Sequence, residues 1–224
     1  MRNIVITSGE YYHIYNRGND RRDIFYGDDD YLRFVVALLL YQFPESVSQL
    51  NRTVRKYVQH LVLDTSDFQL QGRYAELVCF ALMPNHFHLI IRELEEGGIA
   101  RYMQRLLNGY TKYLNTKHEK SGHVFQGTYQ AVHVEDDDQL CYLSAYIHRN
   151  PRDLPAWRNC EQEYPWSSYQ DYVSENRWKG FLSPDIVLNQ IGYGDRYRSF
   201  VQRSGAKERA MDSVLHIDDQ MSNT

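Results

Sequence analysis

The stretch that most restricts the fold is Ala75-Glu-Leu-Val-Cys-Phe-Ala-Leu-Met83, followed after Pro84-Asn85 by His86-Phe-His-Leu-Ile-Ile-Arg92. The first run is almost wholly apolar, the pattern of a strand buried on both faces. Proline cannot donate to a β-ladder and asparagine tolerates turns, so the chain is expected to reverse between the two runs. Strands of this kind need apolar layers against them, and the flanking sequence supplies helices. From about Asp29, the residues Tyr31, Leu32, Phe34, Val35, Leu38 and Leu39 recur at helical spacing, with acids at the start where the helix dipole favours them. Gly97-Gly98 opens a second helix, from Ile99 to about His118, with Tyr102, Met103, Leu106, Tyr110, Tyr113 and Leu114 on one face.

The remaining elements complete a pattern. Tyr11 to Arg17 has strand composition and ends at Gly18-Asn19-Asp20. The stretch from Gly122 to Val134 has strand character, with Gly127 as a bulge or bend. A helix then runs from Asp138 to Asn150, where Pro151 stops it. The order βα–ββ–αβ plus a further helix predicts an α+β domain over residues 10–152. Its plan is a ferredoxin-like antiparallel sheet with helices on one face. Residues 153–224 form a C-terminal aromatic and helical extension, with Trp157, Trp166-Ser-Ser-Tyr169 and Trp178, expected to pack back on the domain. Its tail is polar from about Asp212, and residues 45–65 are a polar insertion or loop with no assigned role.

Composition narrows the function classes. A net charge of −4 argues against a protein that coats nucleic acid in bulk. Between Arg101 and His133, however, Arg101, Arg105, Lys112, Lys117 and Lys120 face a single acid, Glu119. A local basic face on an acidic chain fits selective phosphate binding, and a solvated helix face would look the same. The 19 tyrosines supply either base-stacking surface or a tyrosine-rich core. Cys79, Cys141 and Cys160 are odd in number and lack metal-type spacing, so they read as free thiols of a reducing cytoplasm. No apolar run reaches about 18 residues, so no membrane span is expected.

Two residue pairs carry chemistry. On a strand, His86 and His88 point to one face while Phe87 points to the other, which suits two nitrogen ligands on one divalent ion. Two histidines on a solvated strand would need no ligand. On a helix, Tyr146 and Asn150 lie one turn apart on one face. They can serve as a nucleophile and its metal-bound neighbour, or as a core tyrosine and a helix end before Pro151.

Three motifs in order give these pairs a context: Leu82-Met-Pro-Asn-His-Phe-His-Leu-Ile, Gly122-His-Val-Phe-Gln-Gly-Thr-Tyr, and Ala145-Tyr-Ile-His-Arg-Asn-Pro151. Together with Tyr12-His-Ile-Tyr-Asn-Arg-Gly18 and Trp166-Ser-Ser-Tyr169, this set resembles the single-tyrosine HUH transposases. The resemblance is strongest to the branch called REP-associated tyrosine transposases, and it covers roughly residues 10–172. It implies a ferredoxin-like fold and a site for Mg²⁺ or Mn²⁺ on His86, His88 and Asn150, with Tyr146 as nucleophile. The implied reaction cleaves and rejoins single-stranded DNA, at hairpin repeats, through a 5′-phosphotyrosine. Arg105, Lys112 and Lys117 would contact phosphates along the second helix, Arg17, Arg21 and Arg22 would guide the strand, and Gln126 and His148 would support the site. The protein would work as a monomer or homodimer. Two other readings stand beside it: a hairpin-binding protein that does not cut, and a hydrolytic nuclease using water.

Overall fold

The computed structural model describes residues 4–44 and 72–204, so the segment 45–65 and the tail from Asp212 lie outside the described residues. Four strands, β1 (Tyr11–Arg17), β2 (Ala75–Met83), β3 (His86–Glu93) and β4 (Gln130–His133), form one antiparallel sheet in the order β2-β3-β1-β4. Helices α1 (Asp28–Leu40), α2 (Gly98–Lys117) and α3 (Asp137–Arg149) alternate with them as the sequence predicts. The extension adds α4 (Tyr169–Val173), α5 (Asp185–Ile191) and α6 (Asp195–Arg203). No helix among the described residues is long and apolar enough to cross a membrane.

The α+β antiparallel plan is as expected, but the helices do not all lie on one face. On one side, Tyr12, Ile14, Phe87, Leu89 and Ile91 pack against Phe34 of α1 and Tyr102, Leu106 and Tyr110 of α2. On the other, Tyr15, Ala81 and Ile90 pack against Leu140 and Ile147 of α3 and Tyr197 and Val201 of α6. The strands are apolar at both parities, so one-sided cover would leave half of that surface in water. A register shift between Leu77 and Cys79 adds to this: it sends Val78 and Cys79 together to the α3 side and returns Phe80 to the α1 side.

Local chemistry fixes the ends of the elements. The buried Glu93 carboxylate accepts from the N–H groups of Gly98 (3.1 Å) and Ile99 (2.6 Å), satisfying two open donors at the start of α2. A Cβ at Gly98 would lie 2.0 Å from the Tyr74 carbonyl oxygen, so only glycine admits this approach. The acidic run begins α3: Asp136 Oδ1 caps the helix by accepting from Gln139 N–H at 2.7 Å. The strand expected from Gly122 is confined to Gln130–His133, because Gly122 (φ 103°) and Gly127 (φ 68°) take the chain out of pairing first. Only a bridge between Gly18 and Phe125 precedes it.

The extension is bound into the sheet. Leu82 N–H donates to Trp166 O and Ser168 N–H donates to Phe80 O, each at 2.9 Å, so the Trp166–Ser168 segment covers the open edge of β2. Ser168 Oγ also lies 2.8 Å from His148 Nε2, and His148 Nδ1 lies 2.7 Å from the Tyr197 hydroxyl. The His148 ring is wholly buried and stacks on Tyr169 at 5.1 Å. One imidazole thus fastens α3 to the β2 edge and to α6.

Across the sheet, the Asp30 carboxylate at the start of α1 is buried and accepts from Lys117 Nζ (2.6 Å), Tyr113 Oη (3.0 Å) and Tyr26 N–H (2.9 Å). Burial alone would raise its pKa, and these three bonds together hold it below the ordinary value. Lys117→Met would leave this carboxylate short of its cation and should lower stability by about 2 kcal/mol in urea unfolding. His148 gives a pH signature. Burial lowers its pKa from 6.5 to about 3, so the unfolded chain takes up the proton first as the pH falls. Stability is therefore full above pH ~6.5 and declines below it by about 1.4 kcal/mol per pH unit from this residue. His148→Gln should flatten the unfolding free energy measured between pH 6.5 and 4.5.

Candidate active site

Strand alternation puts His13, Tyr15 and Arg17 of β1 and His86 and His88 of β3 on the same face of the sheet. Tyr15 sits opposite His88, and Arg17 opposite His86. This is the face that α3 covers, and Tyr146 comes from that helix. Its ring meets His88 edge-on at 5.6 Å and His13 at 6.4 Å, while the His86 and His88 rings are 5.2 Å apart. Tyr146, His86, His88 and Asn150 line one cavity of about 390 Å³ with Arg149, Arg152, Asp153 and Arg158. The four residues singled out from spacing and resemblance therefore converge, within one chain.

Both histidines are oriented through Nδ1. His86 Nδ1–H donates to Asn85 Oδ1 at 2.7 Å, so a ligand on that ring would be taken through Nε2. His88 Nδ1 lies 2.9 Å from Nε2 of His13, which is wholly buried. Burial lowers the His13 pKa to about 3, and burial together with His13 and His86 holds His88 well below 6.5. Both rings are neutral at pH 7, so one N–H bridges the two facing nitrogens. A ligand at His88 Nε2 selects the tautomer in which His88 Nδ1–H donates to His13. His13 then carries its own proton on Nδ1, a buried atom with no hydrogen-bond partner among the described residues.

Asn150 donates from Nδ2 to the Tyr146 carbonyl at 3.0 Å, which leaves its Oδ1 as the atom able to act as a ligand. Two imidazoles and an amide oxygen fit a divalent ion completed by water or phosphate oxygens, without selecting one metal. Among the described residues no cluster of three His, Cys, Asp or Glu side chains adds a stronger metal site.

The other predicted residues divide. Arg17 stands opposite His86 on the same face, outside the cavity lining, and its Nε donates to Gln126 Oε1 at 2.6 Å. Arg21 and Arg22 are exposed in the turn after β1, and Arg22 pairs with Asp20 at 3.3 Å. Helix α2 lies across the sheet from the histidines, so docking along it is corrected in part. Arg105 bonds the Phe43 carbonyl (2.5 Å) and the Tyr74 hydroxyl, and Lys117 holds Asp30, so both are committed inside the fold. Lys112 is exposed on that far side. His148 does not line the cavity; it supports Tyr146 only through the placement of α3.

Sequence reasoning missed His13, Asn85, Arg149, Arg152, Asp153 and Arg158. His13 and Asn85 stand inside quoted motifs, and strand parity would have placed His13 beside the histidines. Arg149, Arg152 and Arg158 lie at and beyond the end of α3, where only the fold shows that they return to the cavity wall.

Comparison with known proteins agrees with this fold. Among solved structures, the REP-associated tyrosine transposase bound to a REP hairpin matches with a TM-score of 0.53 at 15% identity. The match covers 83% of this chain and 92% of that one, a likeness of fold. No curated protein sequence matches. The family model described as "Transposase IS200 like" matches residues 7–150, which include β1 to β4, both histidines, Tyr146 and Asn150. The chain belongs to the IS200-like transposase family.

Proposed function

We propose that this protein cleaves and rejoins single-stranded DNA beside a hairpin, with Tyr146 as nucleophile and His86, His88 and Asn150 as ligands for Mg²⁺ or Mn²⁺. The observation that carries the reading is the convergence of a tyrosine, two imidazoles and an amide in one arginine-walled cavity. Hairpin DNA as the partner is supported by the family and by the REP hairpin bound to the structural relative.

Tyr146 Oη attacks the phosphorus as the P–O3′ bond breaks. The product is a 5′-phosphotyrosine and a free 3′-hydroxyl: the phenol gives up its proton and the leaving oxygen takes one up. No water is consumed, so the energy of the phosphodiester is kept for rejoining. A bound divalent ion would supply charge stabilisation at the scissile phosphate. The chain's own residues do the rest. Asn85 and His13 hold the two imidazoles in place, and burial favours the uncharged form of His88. Arg158 meets the phosphates on the α3 side and Arg17 on the β1 side, while Arg149 and Arg152, held by the Ser204 carbonyl and the buried Glu161 carboxylate, add positive charge to the cavity wall. Because Tyr146 lies against the histidines of its own chain, a monomer holds a complete set.

A metal-dependent hydrolase is the alternative that a specific residue favours, since Asp153 lines the same cavity and could serve as base for a water. A denaturing gel separates the two. With Mn²⁺ and a labelled hairpin carrying a single-stranded flank, the label should stay on the wild-type protein and be lost in Tyr146→Phe. Cleaved DNA without adduct would favour the hydrolase, and binding without either product a protein that only recognises DNA. Arg158→Ala should weaken single-strand binding and reduce the log–log salt slope by about 0.7, the value of one lost phosphate contact. An unchanged slope would remove Arg158 from the DNA path.

A further inference from the structure

Asn85 occupies an unusual place in the turn between β2 and β3. Its Oδ1 accepts from Nδ1 of His86 at 2.7 Å, while its Nδ2 donates to the backbone carbonyl of Arg21 at 3.1 Å. One carboxamide therefore touches a histidine of the cavity and the turn that carries Arg21 and Arg22. The backbone ties around it reinforce the link. Gly18 N–H donates to Asn85 O at 2.7 Å, and Ile24 N–H donates to Pro84 O at 2.8 Å. The Arg17–Arg22 turn is thus strapped onto the tip of the β2–β3 hairpin.

That turn is strained. Asp20 (φ 54°) and Arg21 (φ 58°) are consecutive non-glycine residues in the left-handed region, where a side chain is disfavoured. The chain also doubles back so tightly that a Cβ at Gly18 would lie 2.0 Å from the Arg22 carbonyl oxygen. A backbone held this way is sensitive to anything that binds its side chains.

We propose that Asn85 is a positioning residue that couples the two halves of the site: it sets His86 for the metal, and it does so best when DNA holds the Arg21–Arg22 turn in place. The inference rests on the reading of His86 as a metal ligand. With its Nδ1–H directed at Asn85, His86 turns Nε2 to the ion, an outer-shell contact of the kind whose loss weakens metal binding about 10- to 100-fold. The Arg21 carbonyl already anchors Nδ2 without DNA. Phosphates that engage Arg21 and Arg22 hold that contact, so the amide stays fixed when the metal arrives. Linkage makes the effect reciprocal: hairpin DNA tightens metal binding, and metal tightens hairpin binding by the same factor.

Two substitutions separate the roles. Asn85→Ala removes both contacts. Asn85→Asp keeps an oxygen to accept from His86 Nδ1–H but replaces the donor to Arg21 with a charge that repels its carbonyl. Mn²⁺ affinity is measured by calorimetry with and without a DNA hairpin carrying a single-stranded flank, on proteins whose melting temperatures are recorded alongside. Tyr146→Phe serves as the common background, so that no cleavage intervenes. Expected is a wild-type-like site (Asn85 intact) that binds Mn²⁺ at least about five-fold more tightly when the hairpin is present. Asn85→Ala should bind Mn²⁺ about 10- to 100-fold more weakly, with its response to DNA reduced to what a phosphate oxygen on the ion supplies directly. Asn85→Asp should recover most of the Mn²⁺ affinity and keep the reduced response. Unchanged affinity in Asn85→Ala would overturn the positioning role while the metal reading stood. A DNA response in Asn85→Asp as large as with Asn85 intact would overturn the link to the turn. Absence of Mn²⁺ binding with Asn85 intact would overturn the metal reading, and this inference with it.

Discussion

The register of β3 is the constraint on which the site depends. Phe87, Leu89 and Ile91 alternate with His86, His88 and Ile90, and the first three are wholly buried against α1 and α2. A slip of one residue against β1 or β2 would drive both histidines into that core and bring three large apolar side chains to the cavity. Burial of each of those side chains is worth about 2 kcal/mol, so the register is held by hydrophobic terms far larger than any polar contact in the site. β3 is also an inner strand, paired on both sides, which leaves its histidines no freedom to drift with a sheet edge. The polar chemistry rides on an apolar alternation.

Much of this was legible in the sequence because it is written in alternation and helical period. The boundaries of β1 and the core of α2 follow from residues that must face a core. The two-sided cover of the sheet was less legible, since the apolar run of β2 satisfies either arrangement until the partner helices are placed. Fully buried strands predict two covers, and the composition of α3 and the extension supplied the second. The basic residues of α2 were misjudged for a different reason. Charge on a helix is visible in sequence, but whether Lys117 faces DNA or a buried carboxylate depends on Asp30, 87 positions away. The arginines at and beyond the end of α3 reverse that error: their turn back to the cavity is a property of Pro151 and the chain path after it, which no period encodes.

The C-terminal extension is better understood as part of the foundation of the Tyr146 helix than as an appendage. Trp166 to Ser168 seal the edge of β2, and Ser168 and Tyr197 bracket His148, two residues from Tyr146. Rotation of α3 about its axis would break both bonds and leave a buried imidazole unsatisfied, at a cost of about 1–3 kcal/mol. The hydrogen bonds to His148 thus fix the direction in which Tyr146 leaves the helix, although His148 never reaches the cavity. This gives the Trp-Ser-Ser-Tyr motif a physical role that its distance from the histidines hides.

Tyr146 itself shows why a core reading and a catalytic reading of one residue need not compete. Its ring is 6% exposed and packs edge-on against His88, so it belongs to the apolar layer that holds α3 on the sheet. If Tyr146 is the nucleophile proposed above, a residue embedded in this way loses little freedom when a phosphate arrives, an entropic advantage over a tyrosine on a loop. On that proposal the same burial restricts the route of attack: a phosphate would have to enter the cavity of about 390 Å³ to reach the phenol, past Arg149, Arg152 and Arg158. A single strand would place one phosphate there more readily than a stiff duplex. The proposed preference for unpaired DNA would then follow from the depth of Tyr146, with a paired stem left for contacts outside the cavity.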